Sequence, residues 1–169
     1  MKATRFLLLA VIGGLTGCGD RAPTGVTPAP LLFDGPSSYT GLLQCTPLTS
    51  DSVSQTVGPL GGVLSVGPHR LWILPGALDA PVAITAVAPA DTVNRVRFGP
   101  TGLAFRVPAV LTMSYANCLV PPLARFVPKH IAYTSEALEI LELLPSVDDL
   151  WGRSVTARLE HFSDYAIAW

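Results

Sequence analysis

The chain has 169 residues, of which 49% are apolar and 14% charged, and its 11 Lys and Arg against 12 Asp and Glu leave a formal charge of −1. Near-neutrality removes the electrostatic footprint that nucleic-acid binding needs, and low charge with high apolar content excludes a disordered chain. Fifteen glycines without a three-residue period exclude collagen, and the length fits a single domain.

The first segment reads as an export signal. Lys2 and Arg5 precede an apolar run from Phe6 to Ile12, and small residues follow up to Cys18. A basic start, a short apolar core and a small-residue site are the marks of a secretory signal, here residues 1–17. The run is too short to span a bilayer, which takes about 20 apolar residues. Leu15-Thr16-Gly17-Cys18 resembles a bacterial lipobox, which implies cleavage before Cys18 and diacylation of its thiol. Gly19 at the next position resembles outer-membrane sorting by the enterobacterial rule. Loss of Lys2 and Arg5 would take the charge from −1 to −3, so charge offers no attraction to anionic headgroups. Membrane attachment would rest on the acyl chains.

Residues 18–40 hold Pro23, Pro28, Pro30 and Pro36 among Gly, Ser and Thr, with Leu31-Leu32-Phe33 as the one apolar interruption. Proline lacks a backbone donor and favours extended chain, so this stretch reads as a semi-rigid tether. Two cysteines remain beyond Cys18, namely Cys45 and Cys118, and an exported compartment permits their pairing. In the chain-entropy model, closing so long a loop stabilises by roughly 4 kcal/mol. Two free buried thiols are the alternative. Without Cys-x-x-Cys or paired histidines nearby, no metal site is expected.

From residue 41 to 169 the chain shows short apolar runs between Gly and Pro punctuation. The expected strands cover 42–45, 55–57, 63–66, 70–74, 82–87, 103–106, 109–114, 130–134, 139–144, 154–160 and 165–169. Alternation is clear in places: Val155, Ala157 and Leu159 face one way, and Thr156, Arg158 and Glu160 the other. Strands at this spacing predict an all-β fold, an antiparallel β-sandwich. Ser135-Glu136-Ala137-Leu138 suggests at most a short helical turn. Pro121-Pro122 and Pro145 are expected to break their neighbours.

Four stretches carry a family likeness over about residues 55–169. They are Gly61-Gly62-Val63-Leu64, then Leu71-Trp72-Ile73-Leu74-Pro75-Gly76-Ala77-Leu78. Gly99-Pro100-Thr101-Gly102-Leu103-Ala104-Phe105 follows and leads into Pro108-Ala109-Val110-Leu111-Thr112. The chain closes on His161-Phe162-Ser163-Asp164-Tyr165-Ala166. In order and spacing these resemble the ZU-five domain of ankyrins, netrin receptors and zonula occludens proteins, and most of all the ZU-five-like module of small bacterial lipoproteins. The resemblance implies a β-sandwich used for protein contacts. It transfers no ligand, because the matched positions are strand and turn residues.

His161-Phe162-Ser163 has the sharpest chemical reading. In some animal ZU-five proteins such a sequence cuts itself between Phe and Ser. The resemblance implies Ser163 as nucleophile and His161 as the assisting base, releasing a tail 163–169. The competing reading is structural: His161 follows the inward register of β-strand 154–160, and Ser163-Asp164 make a turn. A hydrolase triad of Ser163, His161 and Asp164 is disfavoured, because sequence neighbours on extended chain rarely converge and no Gly-x-Ser-x-Gly elbow is present. His69 and His130 stand alone. Asp148, Asp149 and Glu142 lack the glycine-bearing pattern of a calcium loop and read as a solvated acidic loop. Trp72, Trp151, Trp169 and Phe98 are either an aromatic platform for carbohydrate or core residues.

The expected function is therefore non-enzymatic. The chain reads as a lipid-anchored cell-envelope protein whose sandwich contacts an envelope protein or polysaccharide, without a cofactor. A module cutting itself between Phe162 and Ser163, and an envelope carbohydrate-binding module, are the alternatives.

Overall fold

The alternation of apolar and polar residues builds eleven strands. The computed structural model describes residues 41–169; the expected signal segment, Cys18 and the tether lie outside the described residues. In chain order the strands are β1 (Asp51–Val57), β2 (Gly62–Val66), β3 (His69–Ile73), β4 (Val82–Ala88), β5 (Arg95–Gly99) and β6 (Ala104–Ser114). Then come β7 (His130–Thr134), β8 (Ile140–Leu143), β9 (Ser146–Asp149), β10 (Ser154–His161) and β11 (Asp164–Ala168). A single 3₁₀ turn at Pro122–Ala124 is the one helical element among the described residues.

The strands form two antiparallel sheets packed face to face. One has the order β1-β4-β5-β11-β7-β8 and the other β2-β3-β6-β10-β9. Consecutive edge strands, β1 to β2 and β8 to β9, pass the chain between the sheets at opposite margins. Between the sheets lie Leu71, Ile73, Leu111, Met113, Val155 and Leu159 from one layer and Ile84, Val96, Phe98, Ile131, Tyr165 and Ile167 from the other. Each large aliphatic side chain so buried stabilises by roughly 1.5–3 kcal/mol. The layered core follows from period-two patterning, because a strand with one apolar face must cover it.

Several details depart from the sequence expectations, each for a physical reason. Residues 42–45 form bridges at Leu42, Gln44 and Cys45, not a full strand. The neighbouring edge of β11 is already taken by β5 as far as Ala166, so only its last residues are free to pair. The two runs 103–106 and 109–114 merge into β6 across Pro108. Proline is tolerated there because the β6–β10 register shifts between Leu159 and His161, and β3 pairs only with Val110–Thr112. β5 was hidden by Arg95 and Arg97, which alternate with the buried Val96 and Phe98. Asp148 and Asp149 belong to β9, not to a solvated loop. The 135–138 stretch is a tight turn in which Leu138 N–H donates to Ser135 O, with Leu138 at a φ of 64°. Gly61 has a φ of 74°, and a Cβ there would collide with the Ile73 carbonyl, so its turn requires glycine.

Cys45 and Cys118 are joined by a disulfide with an S–S distance of 2.01 Å across 73 residues. It ties the first described segment to the β6–β7 connection. Leu119 N–H donates to Gln44 O beside it. Cys45→Ser is expected to lower stability by about 2–5 kcal/mol under oxidising conditions and to change nothing once reductant is present. Thermal melts in both conditions check this, and equal loss in both would make packing the cause.

His69 is buried at 3% exposure, and its Nδ1 accepts the Ser114 N–H at 3.2 Å. Loss of hydration penalises the imidazolium and lowers the His69 pKa from 6.5 to about 4. The unfolded chain takes up this proton as pH falls below about 6.5, whereas the folded chain resists until about 4. Stability present above pH 6.5 is therefore lost through that window, by on the order of 3 kcal/mol. His69→Asn keeps an acceptor near Nδ1 and removes the titration. Its Tm should vary less between pH 6.5 and 4 than that of the parent.

Candidate functional site: an open cleft between two strand edges

The His161-Phe162-Ser163 segment joins β10 to β11. Phe162 is fully buried, stacked on Phe98 at 5.1 Å and edge-on to Phe105 at 4.9 Å. Its N–H donates to Leu103 O and its carbonyl accepts the Gly102 N–H at 2.9 Å. The Phe98 N–H donates to Ser163 O. Thus Phe162 is a core residue held on both sides by the chain around 102–103. Its aromatic neighbours explain why an apolar residue sits inside a turn.

The His161 ring meets Tyr133 edge-on at 5.3 Å, and Tyr165 Oη donates to the His161 carbonyl at 2.7 Å. Nδ1 of His161 stands 3.4 Å from the Phe162 carbonyl oxygen, a long contact. No hydrogen bond links His161 to the Ser163 hydroxyl among the described residues. Asp164 turns away toward Arg97, at 3.6 Å from Nε. Burial pushes the Asp164 carboxyl above its ordinary range, against the pull of Arg97 and Arg95. The triad disfavoured on sequence grounds is therefore not formed: Asp164 is paired with Arg97, and no hydrogen bond joins it to His161 among the described residues.

His161 instead lines a cleft of about 860 Å3. One wall comes from β8 and the turn after it, through Glu142, Leu144 and Pro145. The other comes from β10, through Thr156, Arg158, Glu160 and His161, with Tyr133 and Tyr165 at the base. Two strand edges make this opening. β9 begins at Ser146 opposite Ala157, so β10 beyond Ala157 has β6 on one side and no strand on the other. β8 is the outermost strand of its sheet, and all four of its residues are exposed. Ile140, Leu141 and Leu143 are apolar on an edge that water covers. Glu142, Glu160 and Arg158 give the cleft mixed charge.

The remaining candidates have mainly structural positions. Phe98 is core at 3% exposure. Trp72 is exposed on the outer face of β3 opposite Val110, whereas Trp151 stands beyond the end of β9, so the aromatics share no platform. Trp169 packs partly buried against the core. Asp148 accepts the Tyr115 hydroxyl at 2.7 Å and the Lys129 N–H at 2.9 Å. Asp149 accepts the Trp151 and Gly152 N–H groups. Among the described residues no three His, Cys, Asp or Glu side chains gather as a metal site.

Sequence reading missed Tyr133 and Tyr165 as cleft residues. Their only signal was alternation within their strands, which marks a face and not a neighbour. Burial pushes the Tyr165 hydroxyl up in pKa, so it stays protonated and donates. Tyr165→Phe removes the bond to His161 O and should cost about 1 kcal/mol. Denaturant titration measures it, with an unchanged m-value as the sign that only stability moved. Compared with known proteins, the chain matches no family model and no curated protein.

Proposed function

We propose that this protein is a lipid-anchored, non-enzymatic component of a bacterial cell envelope. Its sandwich, read as ZU-five-like, contacts a partner protein along the cleft. The exposed apolar edge of β8 beside the open half of β10 is the observation that carries this reading. An unpaired edge presents backbone donors and acceptors in a row, and an extended segment of another chain can complete them. Natural proteins usually blunt such edges with charge, and here three of four β8 residues are apolar. The exported, acylated state is supported by Lys2, Arg5, the apolar run and Leu15-Thr16-Gly17-Cys18 in that order. The ZU-five likeness rests on the four quoted stretches and supports protein contact in preference to chemistry.

A second reading, self-cleavage, keeps one specific observation. The Phe162 carbonyl oxygen already accepts the Gly102 N–H, with His161 Nδ1 nearby. An oxyanion formed there would have a donor in place. In that reaction the Ser163 hydroxyl attacks the Phe162 carbonyl carbon, and the carbon–nitrogen bond breaks. The proton passes to the new amine, and water then hydrolyses the ester. The product strand would remain seated between β5 and β7, so denaturation is needed to see it.

Intact mass of protein from native membranes, under denaturing conditions, separates these readings. The expected species begins at an acylated Cys18 and ends at Trp169. A species ending at Phe162 and abolished by Ser163→Ala would replace binding with processing. For the edge itself, a photo-reactive side chain at Leu141 should cross-link one discrete partner in cells, and the same group at Thr85 on β4 should not. Equal labelling from both positions would remove the β8 edge as the contact.

A further inference from the structure

We propose that the end of the sandwich at which the described chain begins is a docking surface for the phospholipid bilayer interface, with Leu119, Leu123, Phe126 and Trp151 as the inserting side chains. The orientation rests on the lipid-anchor reading; the surface itself rests on geometry. These four side chains are 70%, 90%, 73% and 93% exposed, the most exposed large apolar residues of the domain apart from Leu60 and Val147. Large apolar groups gathered at one place on an exported protein mark an interaction surface.

Hydrogen bonds place all four at one end. Leu119 N–H donates to Gln44 O, and Trp169 N–H donates to Gly41 O next to the β7 start. Tyr115 N–H donates to Arg153 O, which brings the β9–β10 turn carrying Trp151 beside the β6–β7 connection carrying Leu119, Leu123 and Phe126. Gly41 is therefore on the same end as these side chains. The chain enters the domain at this end, so of the domain's surfaces it lies nearest along the chain to an anchor on Cys18.

The presentation is built and not loose. Lys129 is 1% exposed, and its ammonium donates to the carbonyls of Ala124, Arg125 and Val127. It also lies over the Tyr115 and Trp169 rings. The connection turns these carbonyls toward the cation, while Leu123 and Phe126 stay exposed. Across from it, Asp149 holds the backbone at Trp151 and Gly152, and Arg153 donates to Tyr115 O and Cys118 O. The disulfide braces the base of the same connection.

Chemistry selects the occupant. Phe and Trp with an adjacent Arg125, whose guanidinium lies 5.9 Å from the Phe126 ring centre, match the headgroup level, where aromatic and amphipathic side chains collect. The chain carries no cationic excess, so insertion is apolar and does not need anionic lipid. A zwitterionic bilayer is the ligand.

The test uses full chain from native membranes, reconstituted in phosphatidylcholine vesicles with or without shallow bromine atoms on the acyl chains. Brominated lipid should quench part of the tryptophan emission, and Trp151→Phe should abolish that loss. Leu123→Asp with Phe126→Asp should weaken the quenching at unchanged Tm, since both sites are exposed. Added phosphatidylglycerol should make no difference. Intact mass of the same sample reports the anchor separately. Acylated protein with Trp151 unquenched overturns the docking and leaves the anchor standing. Unacylated protein whose Trp151 is still quenched upholds the docking without the anchor. Trp151 shielded only in native membranes, and never in pure lipid, also overturns it and gives the surface to a protein.

Discussion

β11, the last strand of the chain, lies in the middle of the six-stranded sheet, hydrogen-bonded to β5 on one side and β7 on the other. Without it the sheet divides into β1-β4-β5 and β7-β8. Tyr165, Ala166, Ile167 and Ala168 are all essentially inaccessible to water, so the strand is held by both its edges and both its faces. The first described residues depend on it as well, since Leu43 N–H donates to Ile167 O. The N-terminal segment and the C-terminal strand thus close on one another, and the disulfide reinforces the same corner through Cys45.

The two proposed surfaces follow from how the strand ends are treated. At the end bearing Gly41, polar groups are consumed internally. Asp148 serves Tyr115 and Lys129, and Lys129 serves three carbonyls. Burial lowers the Lys129 pKa while Asp148 opposes this, and the carbonyl cage supplies the partners that a buried cation requires. At the same end Leu119, Leu123, Phe126 and Trp151 are exposed. Along the β8 margin the reverse holds: the backbone is unpaired, and the cleft beside it keeps mixed charge. The first is the surface proposed for lipid, and the second the one proposed for an extended chain.

The His161 segment shows how one motif can serve packing and still sit beside reactive atoms. Phe162 stacks on Phe98 because the β10–β11 turn folds over the aromatic cluster, and that packing brings Gly102 N–H onto its carbonyl. The same turn directs Asp164 to Arg97 across β5. Local sequence order therefore says little about which side chains converge, because the turn and the strands on either side of it set where each one goes.

Period-two alternation alone determined the all-β class, most strands and the inward residues of β10, since one covered face is enough to require it. Two cysteines beyond Cys18, with only one possible internal pairing and an export signal expected upstream, made the disulfide legible. β5 and β9 were not legible, because charged residues interrupt their apolar pattern, and the groups that hold Arg97 and Asp148, namely Asp164, Tyr115 and Lys129, lie far along the chain. Nor was the cleft, which exists because β9 stops short of the end of β10. Nor was the apolar end, where the β6–β7 connection and the β9–β10 turn come together. Both depend on which segments are neighbours in space, and strand pairing across long sequence separations decides that after the local pattern has been written.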